Sequence, residues 1–450
     1  VVTSLRQRQP NKTAKGLNSV TAKTIYTAGL LAALLAGCGE VDVILPGEHV
    51  AIREDAAFVN QAAIIKLAAA RVNADWTHRN GGADHRISHP ALGATLTQIF
   101  AVNIGEGDSP RARITSEPVV AGGVVYTLDA RARVTATGTS GAPVWAADVT
   151  PRNDNASDAS GGGLTVAGGT VFVTTGFGEL TALDAASGAE LWTQDLDAPG
   201  TSAPTVRDDL VYVVARNSTA WALDAATGRI QWQLSGTPSV ANFGGGAGAA
   251  VSGDLAVFPF PSGEVVATFP RGGTRRWQSV VSGERIGKAG TLVSDISSDP
   301  VIAGNRVYVG NFGGQLAALD SFNGDRVWTA NEGALGPVWP AGNAIFFVND
   351  INELVRLDAA TGALVWRITL PAAEVESTRR QPAVAAHYGP ILAGGRLIVA
   401  STDGTIRQFD PVSGALTGAV AVAGGAAASP VVAGGVLYVI TKTGQLVAFR

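Results

Sequence analysis

Leu223-Asp224-Ala225-Ala226-Thr227-Gly228-Arg229-Ile230-Gln231-Trp232 is the stretch on which the fold turns. It reads as a tight turn between two strands. Asp ends the first strand and accepts hydrogen bonds from backbone N–H groups of the turn. Gly supplies the positive φ that such a turn needs. Trp then sits on the next strand, a large flat side chain suited to packing between sheets. The unit recurs as Leu183-Asp184-Ala185-Ala186-Ser187-Gly188 with Trp192, as Leu319-Asp320 to Gly324 with Trp328, and as Leu357-Asp358-Ala359-Ala360-Thr361-Gly362 with Trp366. Degenerate copies pair Gly141 with Trp145 and Gly273 with Trp277. A last copy keeps Phe409-Asp410 and Gly414 but has Gly418 where tryptophan is expected. The six tryptophans at 145, 192, 232, 277, 328 and 366 are assigned to packing between repeats.

A second count is independent of the first. Each repeat opens with an apolar strand, a two-residue turn and a strand of the Val-Tyr-Val type. The turns are Gly122-Gly123, Gly168-Gly169, Asp208-Asp209, Gly253-Asp254, Gly304-Asn305, Gly342-Asn343, Gly394-Gly395 and Gly434-Gly435. These are favoured residues of two-residue hairpins. Eight repeats therefore begin, but the sequence reaches Arg450 before the eighth can make its tryptophan strand. Leu96-Thr97-Gln98-Ile99-Phe100-Ala101-Val102 reads as the missing strand, with Phe100 in the tryptophan's place. Pairing it into the last repeat closes a ring and removes exposed sheet edges. The expectation is an all-β fold: an eight-bladed β-propeller of four-stranded antiparallel blades, closed by the N-terminal strand. A seven-bladed ring with an irregular insert is the alternative, and the weak copy from Gly248 to Val281 is where the difference would lie.

Composition is consistent with this. The 450 residues include 56 glycines and only 16% charged side chains, with 33 Lys+Arg against 37 Asp+Glu. So charge-poor and weakly acidic a balance argues against nucleic-acid binding, and the small cluster Arg271, Arg275 and Arg276 and the pair Arg379-Arg380 read as solvated turns.

Residues 1 to 23 carry Arg6, Arg8, Lys12, Lys15 and Lys23 and no acid, and an apolar run follows from Ile25 to Ala36. That is the pattern of a secretory signal peptide. Leu35-Ala36-Gly37-Cys38 resembles the bacterial lipobox, and Cys38 is the sole cysteine of the chain. The expected organisation is a lipoprotein signal peptide at 1–37, a tether lipidated on Cys38 at 38–75, and the propeller at 76–450. Within the tether, Phe58, Ile64, Ile65 and Leu67 are spaced to share one face of a helix.

The Leu-Asp-Ala-Ala-Thr-Gly-x-x-x-Trp unit is similar to the repeat of pyrroloquinoline-quinone-type propellers. Joined to the lipobox, the single cysteine and eight repeats, it resembles the BamB family, with a long tether like that of alphaproteobacterial members. Asp75-Trp76-Thr77-His78-Arg79-Asn80-Gly81-Gly82 is similar to that family's leading segment. The resemblance implies a scaffold without cofactor or metal, held at the periplasmic face of the outer membrane through Cys38. It would bind the POTRA domains of BamA and other assembly-machinery subunits and help unfolded outer-membrane clients. It also implies two contact loops. One maps to Ser239-Val240-Ala241-Asn242-Phe243, where Val240 and Phe243 supply apolar contacts and the family's arginine is absent. The other maps to Ser294-Asp295-Ile296-Ser297, where Asp295 is kept and Ser297 replaces a second acid.

The competing reading is a periplasmic quinone- or ligand-binding propeller related to quinone-dependent dehydrogenases. Such enzymes would be expected to carry a vicinal cysteine pair, which one cysteine cannot provide. Asp295 and Asp299, with Asn311 nearby, are the candidate carboxylates for that chemistry. His78, His85 and His89 are spaced seven and four apart, but Gly81-Gly82 and Pro90 place them in a loop, where solvated histidines are expected. Gly161-Gly162-Gly163 and Gly244-Gly245-Gly246-Ala247-Gly248 lack the Lys-Ser/Thr ending of a phosphate-binding loop.

Overall fold

The computed structural model describes residues 58–158, 161–200, 202–239, 246–283, 285, 295–374 and 383–450. Among the described residues, strands are numbered β1 to β32 in chain order, and they form eight antiparallel sheets of four. Seven sheets are contiguous in sequence. The first runs from Val119–Ala121 to Pro143–Asp148, and the seventh from His387–Ala393 to Leu416–Ala421. The eighth joins β30 (Val431–Ala433), β31 (Val436–Ile440) and β32 (Gln445–Phe449) to β1 (Gln98–Asn103). Phe100 faces Ala448 across that closing pair, and Thr97 and Arg450 exchange backbone hydrogen bonds at 2.7 and 2.9 Å. The fold is the expected eight-bladed propeller. The weak copy is a regular blade as well, with strands Ala250–Ser252, Leu255–Pro259, Glu264–Thr268 and Arg275–Val280.

First strands of successive blades neighbour one another around the axis, and fourth strands form the rim. The burial pattern follows. Second and third strands are almost wholly buried, as in Leu210–Ala215, whereas the rim strand Glu190–Asp195 is exposed at alternate positions. Strand direction gives the disc two faces. Turns between first and second strands, and between third and fourth, lie on one face, the turn face. Connections from one blade to the next cross the other, the loop face.

The recurrent Asp-to-Trp unit interlocks adjacent blades. In the turns that carry it, at Asp184, Asp224, Asp320, Asp358 and Asp410, the Asp carboxylate accepts the expected bonds: Asp224 Oδ1 takes the Thr227 N–H and hydroxyl at 2.9 and 2.7 Å. Gly228, at φ 71°, lies beneath the ring of Trp192 from the preceding blade, where a Cβ would come within 2.5 Å of it. The Trp192 indole N–H donates to Ala225 O of the same turn at 3.1 Å. Its other side meets Phe172 of its own blade, centroids 5.9 Å apart. The same arrangement links Trp145 to Gly188, Trp232 to Gly273, Trp277 to Gly324 and Trp328 to Gly362. Phe100 takes this role against Gly141, and its ring lies against Tyr438. Blade eight has no turn between its third and fourth strands, because these are the two ends of the propeller chain. Blade seven accordingly has nothing for a tryptophan to cover, and Gly418 stands there.

Residues 59–75 depart from the expected tether. They form no helix but an extended strap on blades six to eight. Gln61 N–H donates to Val365 O at 3.1 Å and Ala63 N–H to Val412 O at 3.2 Å. Arg356, 1% exposed, reaches Ala63 O at 2.6 Å and Pro411 O at 3.0 Å. It thereby takes the turn carbonyl that the indole of Trp366 would have taken, and that buried N–H has no partner among the described residues. Ile65 and Leu67 pack inward on the core while Ile64 and Lys66 point out, a period of two. The strap thus belongs with the propeller, and the expected boundary at residue 75 falls inside a packed segment. The expected signal peptide and Cys38 lie outside the described residues.

Candidate partner face and plugged channel

The axial channel is closed at its turn-face end by the chain itself. Residues 76 to 85 cross it and bond the first strands of five blades in succession. Trp76 and Val120 exchange backbone bonds at 2.7 and 2.8 Å, and Val166 N–H donates to Thr77 O at 3.0 Å. His78 Nε2 lies 2.9 Å from Val206 O. Val251 and Ile302 donate their N–H groups to Ala83 O and Asp84 O at 2.7 and 3.1 Å. Trp76 stacks on Trp339 of blade six, centroids 6.1 Å apart. Innermost strands present unpaired backbone to the channel, and the plug satisfies part of that edge.

Arg79 is the bolt of this plug. Its Nε lies 3.0 Å from Asp299 and 3.6 Å from Glu117, which precede the first strands of blades five and one. Asp299 is wholly buried, and its other oxygen accepts Gly248 N–H at 2.7 Å. Glu117 also accepts Asn80 N–H at 3.3 Å. Burial pushes the Glu117 carboxyl above its usual range, and Arg79 pulls it back.

The histidines correct the expectation of solvated loop residues. His78 and His85 are 7% and 1% exposed. His78 Nδ1 is 2.8 Å from Thr77 Oγ1, so both ring nitrogens are engaged; His85 Nδ1 lies 2.9 Å from Pro300 O. His89 bonds Ala68 O and Gly395 N–H. These are structural partners and form no shared metal-ligand set. Burial lowers the His78 pKa to about 4, below the unfolded value near 6.5. The unfolded chain therefore binds a proton that the native state refuses. His78's contribution to stability is complete above about pH 6.5 and declines as pH falls towards 4. Glu117, displaced upward, acts in the opposite sense. We expect the step from pH 7 to pH 5 to cost the wild type about 2 kcal/mol more than His78→Gln, from about 1.4 kcal/mol per unit below 6.5. Equal losses in urea titrations of both proteins at the two pH values would refute this.

Beyond Arg79 the channel opens on the loop face as a cavity of about 650 Å³. Among the described residues its charged side chains are matched: Lys442 with Glu374 at 2.7 Å, Arg113 with Asp108 at 3.2 Å, and Arg79 with Glu117. The carboxylates considered for quinone chemistry have other engagements. Asp299 holds Arg79, and the Asn311 side chain accepts Gln315 N–H at 2.8 Å and donates to Val281 O.

The two expected contact loops fall in sequence after the fourth strands of blades three and four, in the connections to the next blades. Val240 and Phe243 lie outside the described residues. Asp295 is 3% exposed and its carbonyl accepts Phe312 N–H at 3.0 Å; the Ser297 hydroxyl donates to Ala334 O at 2.7 Å. Asp295 is thus an internal brace of its loop. Arg285 fastens the same connection to blade six, reaching Glu332 and Asp350 at 2.8 Å each. Sequence reading passed over Arg79, Glu117, Arg285 and Arg356. Arg79 stood in the quoted leading segment; the others carry no local pattern.

Comparison with known proteins follows from this architecture. The family described as outer membrane protein assembly factor BamB matches residues 130–368 and 352–450. The outer membrane protein assembly factor BamB of Shewanella oneidensis is 26% identical over 318 residues, 68% of this chain and 77% of that protein. BamB from Moraxella catarrhalis, a crystal structure, superposes with a TM-score of 0.65 at 17% identity, covering 79% of this chain and 100% of its own. The quinohemoprotein alcohol dehydrogenase of Comamonas testosteroni superposes with a TM-score of 0.63 at 15% identity, covering 84% and 81%. At such identities the structural likenesses speak to fold alone.

Proposed function

The chain belongs to the BamB family of outer membrane protein assembly factors, and from that premise we propose that it is a non-catalytic scaffold of β-barrel assembly. It works at the periplasmic face of the outer membrane, held there by an acyl group on Cys38. It binds the POTRA domains of BamA through the loop face between blades three and five. The observation that carries this reading is the family match across residues 130–368 and 352–450, nearly all of the ring. The matched charges of the channel wall agree with a scaffold, because they leave the rigid ring and its interblade loops as the working parts. Loops held on a rigid frame are where binding residues concentrate. Apolar side chains at the centre of such a contact carry most of its energy.

The test is recovery of BamA with tagged protein from detergent-solubilised envelopes, Cys38 intact. Wild type is expected to bring BamA down. The pair Val240→Asp and Phe243→Asp should cut recovery at least tenfold, about 1.4 kcal/mol, with the melting temperature unchanged. Ser297→Arg should weaken it less. Wild-type protein recovered without BamA overturns the scaffold reading. BamA recovered equally by every variant overturns the assigned contact.

A further inference from the structure

Blade six departs from the repeat at one position. Opposite the tryptophan, the third strand carries Ala136, Ala182, Ala222, Ala267 and Ala318 in blades one to five. Blade six carries Arg356 there, opposite Trp366. Its guanidinium donates to four backbone carbonyls: Ala63 O at 2.6 Å, Pro411 O at 3.0 Å, Val412 O at 3.2 Å and Ile64 O at 3.4 Å. Asn343 Nδ2 also donates to Ile64 O, at 3.3 Å. Gly342 lets the strap approach closely, since a Cβ there would come within 2.3 Å of Lys66 O. The Gln61 and Ala63 N–H groups are held by Val365 O and Val412 O, so the groove grips the strap by its main chain. Asn60 adds its side-chain amide, which exchanges bonds with the Arg367 backbone at 2.9 and 3.0 Å.

A site that holds main chain accepts any extended segment whose alternate side chains suit its pockets. Here the inward positions are Ala63, Ile65 and Leu67, while Ile64 and Lys66 face solvent. Apolar side chains at every second position are the pattern of a barrel strand. The strap is also lightly held. From Val59 to Asp75 no residue is fully buried, and Ala63, Ile65, Leu67 and Asn73 are the half-buried ones. Segments with so little buried apolar contact open locally at a small free-energy cost. We propose that the groove between blades six and seven is a binding site for an extended strand of an unfolded β-barrel client. The strap is its intramolecular occupant, displaced when a client strand enters. This rests on the assembly reading above and deepens it, giving the ring a client site separate from the loops assigned to BamA.

The experiment uses residues 38–450 with Cys38→Ser, which keeps every described residue. The probe is a labelled peptide of about ten residues, the length of a barrel strand, alternating leucine with threonine. Its control has the same composition in two blocks. Anisotropy reads binding, and hydrogen exchange at the Gln61 and Ala63 amides reads the strap. Wild type is expected to bind the alternating peptide, which should speed exchange at both amides about tenfold. Ala63→Pro removes the N–H held by Val412 O, loosens the strap and should tighten peptide binding about tenfold. Adding Arg356→Ala should cancel that gain. This change restores the residue of the other blades and frees Pro411 O for the Trp366 N–H, so the blade is expected to stay folded, with melting temperature as the check. Absence of peptide binding by Ala63→Pro overturns the proposal, as does equal binding of the blocked control. Binding that ignores Arg356→Ala, or that leaves exchange at both amides unchanged, overturns it too. Concentration-dependent dimers of Ala63→Pro, dispersed by Arg356→Ala, would assign the groove to the strap of a second copy and also overturn it. Because BamA recovery is read with substitutions at Val240 and Phe243, failure here leaves that reading untouched.

Discussion

Arg79→Leu is expected to destabilise the folded protein by about 3–5 kcal/mol, the cost of removing one partner of a buried ion pair. The substitution leaves Asp299, wholly buried, without its cation, and Glu117 loses the charge that offsets its burial. Leucine keeps the side-chain bulk, so the loss reads electrostatics more than a void. Adding Asp299→Asn and Glu117→Gln should return much of the stability, because neutral amides in the same places no longer carry unpaired charge. The check is a double-mutant cycle in denaturant. Additive losses in the combined variant would mean that Arg79 acts through packing alone.

Gly228→Val should be nearly as damaging, for two reasons that add. The residue sits at φ 71°, a region β-branched side chains avoid. Its Cβ would also come within 2.5 Å of the Trp192 ring, on an indole fixed by its bond to Ala225 O. Trp192→Ala alone should cost about 3–5 kcal/mol as a large-to-small change at a partly buried aromatic. The pair should cost less than the sum, since removing the indole removes the clash and leaves only the backbone strain. Thermal unfolding of the four proteins checks this, and a strictly additive pair would contradict the interlock.

Propeller, blade count and closing strand were legible because each rests on local chemistry repeated many times. The Asp-to-Gly turn, the hairpin glycines and the tryptophan position agree, and even the exception at Gly418 follows from the missing turn beside it. The strap was less legible. Alanine-rich composition favours a helix in isolation, and Phe58, Ile64, Ile65 and Leu67 suggested one. Alternation of Ala63, Ile65 and Leu67 pointed the other way, and the carbonyls held by Arg356 decided for extended chain. The histidines misled because burial of a loop depends on what it crosses, and nothing near His78 announces Val206. Asp295 illustrates the same limit: a motif gave its position, while its burial came from neighbouring connections.

The eighth blade also sets an order in time. A polypeptide crossing a membrane from its N-terminus delivers β1 first, whereas its partner β32 lies roughly 350 positions later, Gln98 against Phe449. Bringing such distant ends together in an unfolded chain costs about 3 kcal/mol more than closing a ten-residue loop. Blades one to seven need no such wait, since each is built from adjoining sequence. The ring therefore closes last, and until then β1 presents an open strand edge of the kind that recruits other chains. For that interval the protein is itself an unfinished β-structure in the compartment where such structures are handled.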